Sequence, residues 1–268
     1  LNFVGNSTVK VGDLASLLVE SDAKEVSFVW SNEQSGNAYS NVFMEVGNYT
    51  VVCTASNEGG SLVKEFEIQV IAADKAEFLT DIESTTVYVG ESLELSIDVD
   101  IDDVTYQWYK NNEIVEGETA ATIVVTDLTK ENAGDEYYCV VNHYGTESIS
   151  NKAVVNVLYN KPINLILTQD SDAIAGGKVV LEANAEGEAL TYVWSDGTVG
   201  QIFETPIFTE YGDFYYACTV SNDGGSIEKV IKVVVAPYPN LEILAQPQDV
   251  NVLEGESAEF AVEVAEEV

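Results

Sequence analysis

The 268-residue sequence predicts an all-β chain of tandem two-sheet sandwiches, and three observations carry that prediction. Tryptophan recurs at Trp30, Trp108 and Trp194, each 17 or 18 residues after a glycine-led opener. A cysteine follows each tryptophan after 23, 31 or 24 residues, at Cys53, Cys139 and Cys218. Between opener and tryptophan the apolar residues alternate, as they do on a strand with one face buried. A unit recurring about every 80 residues marks an array of small domains.

The openers are Gly12-Asp13, Gly90-Glu91-Ser92 and Gly177-Lys178, and a fourth, Gly255-Glu256-Ser257, starts another unit. The strand after each opener would turn Leu14, Leu17 and Val19, then Leu93, Leu95 and Ile97, then Val179, Leu181 and Ala183 towards a core. Eleven residues further on comes the tryptophan, preceded two positions earlier by Phe28, Tyr106 or Tyr192. Two aromatic rings on one strand face would fill the space between two sheets. The cysteines lie in the runs V-V-C-T-A-S-N-E-G-G-S, Y-Y-C-V-V-N-H-Y-G-T and Y-A-C-T-V-S-N-D-G-G-S, each a strand followed by a tight turn.

These runs resemble strand F and the F-G turn of immunoglobulin-like domains. Tyr137 and Tyr216, two residues before their cysteines, occupy the position of that family's tyrosine corner; in the first unit Val51 stands there and the aromatic is Tyr49. Units one and three share a short tryptophan-to-cysteine spacing and the entries Gly47-Asn48-Tyr49 and Gly212-Asp213-Phe214, and resemble the polycystic-kidney-disease-type variant. The second unit, with Y-Q-W-Y-K-N-N-E-I and T-D-L-T-K-E-N-A-G-D-E-Y-Y-C, resembles an intermediate-set domain, its extra residues allowing one more hairpin with Asn111-Asn112 as the turn. The expected organisation is therefore one sandwich in 1–72, a second in 73–159, a third in 160–236, and a linker with the start of a fourth in 237–268.

In secreted immunoglobulin domains a disulfide usually ties strand B to strand F, but here Val19, Ile97 and Ala183 hold the strand-B positions. Cys53, Cys139 and Cys218 are expected in separate cores, too far apart for the roughly 5.5 Å Cα separation of a bridge. They read as small apolar packing residues, free and without a disulfide, and three unpaired thiols suit folding in a reducing cytoplasm.

The apolar runs are of strand length, well short of a membrane-spanning helix, and no basic region with an apolar run opens the sequence as a signal peptide would. Acidic residues number 46 against 11 lysines, with no arginine and a formal net charge of −35. Such a field repels phosphate backbones and anionic lipid, which excludes nucleic-acid binding and membrane insertion, and it keeps a monomer soluble. The linkers Ala72–Ala76, Tyr159–Pro162 and Ala236–Asn240 are short, and proline should stiffen the second and third. The expected shape is an extended rod on the order of 100 Å at about 3.3 Å per strand residue.

Candidate chemistry is scarce. His143 is the only histidine and falls in an F-G turn beside Tyr144, where a solvated loop residue is expected; no nucleophile motif such as G-x-S-x-G occurs. The run Asp98-Val99-Asp100-Ile101-Asp102-Asp103 offers carboxylates to Ca²⁺, yet lacks the D-x-D-x-D-G pattern with a distal glutamate and reads as the exposed face of a strand. Asn6-Ser7-Thr8 and Asn48-Tyr49-Thr50 match the glycosylation acceptor, a motif that matters only in a eukaryotic secretory setting. The expectation is no catalytic residue, no metal and no cofactor.

Two function classes fit: a virion display protein, and a bacterial cell-surface adhesin or stalk of immunoglobulin-like repeats. The repeats of residues 1–236 resemble the highly immunogenic outer capsid proteins that decorate T-even-type bacteriophages. That resemblance implies synthesis in the host cytoplasm, a capsid anchor beyond Val268, and N-terminal domains that reach host surfaces or glycans. The fourth unit, with strands expected over Leu241–Val252 and Ala258–Val264, would need further chain to close. Recognition in β-sandwiches uses loops at one end, so the expected ligand contacts are Asn32, Glu33, Gln34 and Tyr39 after Trp30 with Asn57 and Glu58 in the F-G turn.

Overall fold

The computed structural model describes residues 1–238 and 241–266, and the chain divides into two compact units, Leu1–Val157 and Leu158–Val268. Pro239 and Asn240 of the third linker lie outside the described residues. The array is all-β, with immunoglobulin-like sandwiches in tandem and a single 3₁₀ turn at Lys130–Asn132 among the described residues.

The first sandwich contains β1 (Asn2–Gly5), β2 (Thr8–Lys10), β3 (Leu14–Glu20), β4 (Ser27–Trp30), β5 (Ala38–Val42), β6 (Gly47–Asn57) and β7 (Gly60–Ile71). One sheet has the order β1-β3-β5 and the other β2-β7-β6-β4, with β2 parallel to β7. Between them Leu17, Val19, Trp30, Tyr39, Cys53, Ile68 and Val70 are buried. The alternation on β3 starts one residue later than the sequence suggests: Leu14 is 60 % exposed and Ala15 is buried, because the inward face takes the odd-numbered positions up to Val19.

The second sandwich contains β8 (Thr85–Tyr88), β9 (Leu93–Ser96), β10 (Val104–Lys110), β11 (Glu113–Ile114), β12 (Thr122–Val125), β13 (Glu136–His143), β14 (Thr146–Ile149) and β15 (Ala153–Leu158). The pair β9-β12 faces a sheet ordered β8-β15-β13-β10-β11, in which β14 also pairs with β13. The extra hairpin forms as expected: Lys110 pairs with Glu113, and Asn111 and Asn112 take φ of 52° and 68°, the left-handed pair of a type I′ turn. Where the last strand breaks between β14 and β15, the Ser150 hydroxyl accepts the Cys139 N–H at 2.9 Å and so satisfies a buried donor.

In the second unit of the chain, β16 (Ile163–Gln169), β17 (Ala173–Ile174), β18 (Val180–Glu186), β19 (Thr191–Trp194), β20 (Ile202–Glu204), β21 (Gly212–Asn222) and β22 (Gly225–Ala236) repeat the plan of the first sandwich, with sheets β16-β18-β20 and β17-β22-β21-β19. The correspondence reaches single contacts. Trp30 Nε1 donates to Gly36 O at 2.9 Å and Trp194 Nε1 to Gly200 O at 3.0 Å. Phe43 packs on Tyr49 with ring centroids 4.4 Å apart, and Phe208 on Phe214 at 5.0 Å. Tyr49 donates its hydroxyl to Glu45 O, four residues upstream, and so makes the corner bond from a position two residues earlier than the family pattern. After this sandwich β23 (Leu241–Ala245) pairs antiparallel with β24 (Glu263–Glu266), so the expected strands over Leu241–Val252 and Ala258–Val264 shrink to short segments whose apolar residues are largely exposed.

The first joint, which has no proline, is fixed by contacts. Ala73 belongs to the first core and Ala76 to the second. Between them Lys10 pairs with Asp74, Thr146 Oγ1 donates to Ala73 O at 3.1 Å, and His143 Nδ1 meets Asp74 O at 2.9 Å. The Tyr144 ring covers Gly12, whose φ is +86° and where any Cβ would lie 2.5 Å from the ring.

One buried carboxylate organises the second sandwich. Asp135 accepts from Asn111 Nδ2 at 2.7 Å and from Asn132 Nδ2 at 3.1 Å, and pairs with Lys110 at 2.7 Å. Burial opposes its ionisation, but the hydrogen bonds from Lys110, Asn132 and Asn111 outweigh that and hold its pKa below the usual value. Because the folded pKa is depressed, this contribution is present above the unfolded pKa and is lost as pH falls through the folded one. Asp135→Ala should lower the stability of the second sandwich by about 1.5–3 kcal/mol, the usual worth of hydrogen bonds to a charged group. Urea unfolding at neutral pH and at pH 3 checks both statements, the variant losing the acid sensitivity that this carboxylate confers.

Candidate functional site

The structural centre of each sandwich is a tryptophan facing a cysteine across neighbouring strands. Trp30 pairs with Cys53, Trp108 with Cys139 and Trp194 with Cys218, in the same antiparallel register. All three thiols are free and buried, and each lies in a different core cluster with its strand-B residue, Val19, Ile97 or Ala183. Burial raises the pKa of Cys53 and Cys218 and pushes Cys139 up to about 11. A thiol raised in this way is a poor nucleophile, so these residues pack rather than react.

The six expected ligand contacts do not form one site. Tyr39 lies on β5, is 4 % exposed and packs on Trp30 with centroids 5.4 Å apart; it is a core residue. Gln34 is half-buried and committed to its own loop, its amide donating to Ser40 O at 2.9 Å and accepting from Ser40 N at 3.0 Å. Asn32 and Glu33 are exposed in the tight turn after β4, where Asn32 Oδ1 accepts the Gln34 N–H and Glu33 takes φ of 67°.

Asn57 and Glu58 are exposed in the β6-β7 turn, at the other end of β4. Ser27 pairs with Ser56 and Trp30 with Cys53, so the two turns flank opposite ends of the strand, roughly 10 Å apart along it at about 3.3 Å per residue. The loop that shares the end with Asn57 is the one before β4. Ser21, Asp22, Ala23 and Val26 line a cleft of about 480 Å³ together with Leu1 and Asn57.

The acidic run is a loop, contrary to the strand face expected. β9 ends at Ser96, Val99 makes an isolated bridge to Phe78, and Val99 and Ile101 pack against the second core while the carboxylates point out. Asp100 Oδ1 accepts the Glu77 N–H at 2.8 Å and Asp98 Oδ1 the Val99 N–H at 3.0 Å, so two of the four carboxylates serve the local backbone. No group of His, Cys, Asp and Glu among the described residues is spaced to hold a metal. His143 is not a free loop residue: a carbonyl only accepts, so Nδ1 carries the proton given to Asp74 O, and the ring also packs on Tyr144. Asp135 escaped sequence reading, although D-x-Y-x-C, Asp135 to Cys139, was in view as its signal.

No family model matches the sequence. A nematode protein of Caenorhabditis elegans, described as muscle M-line assembly protein unc-89, is 26 % identical over 246 residues, which are 81 % of this chain and 3 % of that protein. The chain thus spans a small fraction of the relative it matches. Among solved structures, the titin I-band fragment I67–I69 is 16 % identical with a TM-score of 0.45, covering 88 % of this chain and 98 % of the other. Extracellular domains 3–5 of Drosophila OTK are 14 % identical with a TM-score of 0.40, covering 87 % and 94 %.

Two outcomes follow from the site chemistry. Unfolded, unreduced protein should return three titratable thiols, while in the folded state Cys139 should be alkylated slowest and accelerate only as pH approaches about 11. Its folded pKa lies above the unfolded value, so stability from this group holds below about pH 9 and declines as pH rises towards 11. Millimolar Ca²⁺ should leave the melting temperature unchanged, since only selective binding to the native state raises it. A rise of many degrees, abolished by Asp100→Ala, would make the loop 98–103 a calcium site.

Proposed function

We propose that this chain is a non-enzymatic display array that carries immunoglobulin-like domains on the outer surface of a phage capsid. The observation that carries this reading is the set of three sealed cores with buried thiols and no disulfide clasp. Such domains reach their native state without an oxidising compartment, as a virion protein made in the host cytoplasm must. The acidic composition keeps a protein presented in many copies soluble and monomeric, and directs it away from nucleic acid and anionic membrane. The repeat architecture also fits a cell-surface or adhesion role. The nematode relative, too, is described by assembly rather than by a reaction.

In this reading the partners are the capsid and a bacterial surface or its glycans, the latter engaged through exposed turns such as Asn32-Glu33. No cofactor is involved.

The test is sedimentation with particles. The full-length protein should co-sediment with purified capsids that lack it, residues 1–236 alone should stay in the supernatant, and particles without the protein should still assemble. Recovery of the protein in a bacterial envelope fraction, in the absence of phage, would replace this reading with a cell-surface adhesin or stalk.

A further inference from the structure

The first and third sandwiches carry the same F-G turn, Ser56-Asn57-Glu58-Gly59-Gly60-Ser61 and Ser221-Asn222-Asp223-Gly224-Gly225-Ser226. In the third, the turn grips incoming backbone. Tyr159 N–H donates to Asp223 Oδ1 at 2.8 Å, and Asn222 Nδ2 donates to Asn160 O at 2.8 Å and to Glu188 O at 3.0 Å. The Tyr159 carbonyl comes so near Gly224 that a Cβ there would lie 1.8 Å from its oxygen, and the Lys161 side chain lies over Gly225.

Gly224 is therefore glycine for a steric reason. Its φ is not in the left-handed region, so the backbone itself would accept a side chain, and only the approach of another chain segment forbids one.

Gly59 occupies the same place in the first sandwich and also lacks a left-handed φ. A Cβ on Gly59 would meet only Asn57 Oδ1, at 3.2 Å, so nothing among the described residues demands glycine there. Asn57 keeps the weaker half of the pattern: Nδ2 reaches Lys24 O at 3.5 Å, the counterpart of Glu188 O, and Asn57 lines the cleft beside Leu1. Leu1 corresponds to Leu165, since Lys64 Nζ donates to Leu1 O and Lys229 Nζ to Leu165 O.

We propose that the Asn57–Gly60 turn and the 480 Å³ cleft beside it are a seat for extended polypeptide, filled by the backbone that leads into Leu1. A carbonyl of that segment lies against Gly59 as Tyr159 O lies against Gly224, and the next residue's carbonyl accepts from Asn57 Nδ2. The seat recognises main chain, so the segment's requirement is an extended conformation free of a bulky branch at the contact, rather than one sequence.

The test extends the full chain by a copy of residues 156–164 placed directly before Leu1, which reproduces the spacing found ahead of Leu165. Hydrogen exchange at Asn57–Gly60 should slow about tenfold, the worth of one or two hydrogen bonds, and the first thermal transition should rise. Gly59→Ala should cancel both effects in the extended chain while leaving the unextended chain's transition nearly unchanged. Gly224→Ala supplies the control, exposing the Tyr159 amide. Unaltered exchange in the extended chain would overturn the proposal, as would Gly59→Ala destabilising both chains equally.

Discussion

The tryptophan-cysteine register is the constraint on which each sandwich depends. A disulfide between strands B and F normally adds about 2–5 kcal/mol to a small domain. Here that role falls to packing alone: indole against thiol across the ladder, with Val19, Ile97 or Ala183 from the opposite sheet filling the remaining space. Each indole N–H is tied to a backbone carbonyl, Gly36, Ala120 or Gly200, so the largest side chain of the core buries no unpaired donor. Such a core tolerates a reducing medium and is sensitive to volume instead, since a cavity has no covalent bond to offset it.

With the cores closed in this way, the ends of the sandwiches are left to make connections. The F-G turn of the second sandwich supplies His143, Tyr144 and Thr146 to the first joint. That of the third supplies Asn222, Asp223 and Gly224 to the segment Tyr159–Lys161. These two F-G turns are thus engaged with their own chain rather than left open.

The sequence was most legible where the signal is local and periodic. The Asn111-Asn112 turn needs two residues tolerant of positive φ, and only such residues stand there. The strand-B residues of the second and third units follow strict alternation and are buried without exception. What failed was what depends on three dimensions. Tyr39 reads as a loop residue because no periodicity surrounds it, yet the chain crosses to the other sheet before it and carries it under Trp30. The run 98–103 alternates like a strand but is bent by side-chain bonds from Asp98 and Asp100 to the backbone. The grouping of Asn32 with Asn57 failed because a strand separates its two ends, which spacing along the sequence does not reveal.

The two short-form sandwiches also share an exit. The structural equivalent of Gly12 is Gly176, one residue ahead of the Gly177-Lys178 opener read from the sequence; the two have φ of +86° and +83°, and each lies under a tyrosine ring from the chain that follows, Tyr144 in one case and Tyr238 in the other. A glycine there serves twice: it permits the left-handed turn and leaves room for the ring. The third sandwich therefore has a backbone seat at its entry, at Gly224, and a ring seat at its exit, at Gly176. Both seats depend on the absence of a side chain, so the approach of the neighbouring segment is set by shape and by hydrogen bonds to its main chain, with the Asp223 carboxylate accepting the Tyr159 N–H. In a chain this acidic that choice matters, because carboxylate-rich surfaces brought together would repel. A glycine seat admits the neighbouring segment through close backbone packing, so the junction adds little carboxylate to the contact beyond Asp223 and the Lys10-paired Asp74.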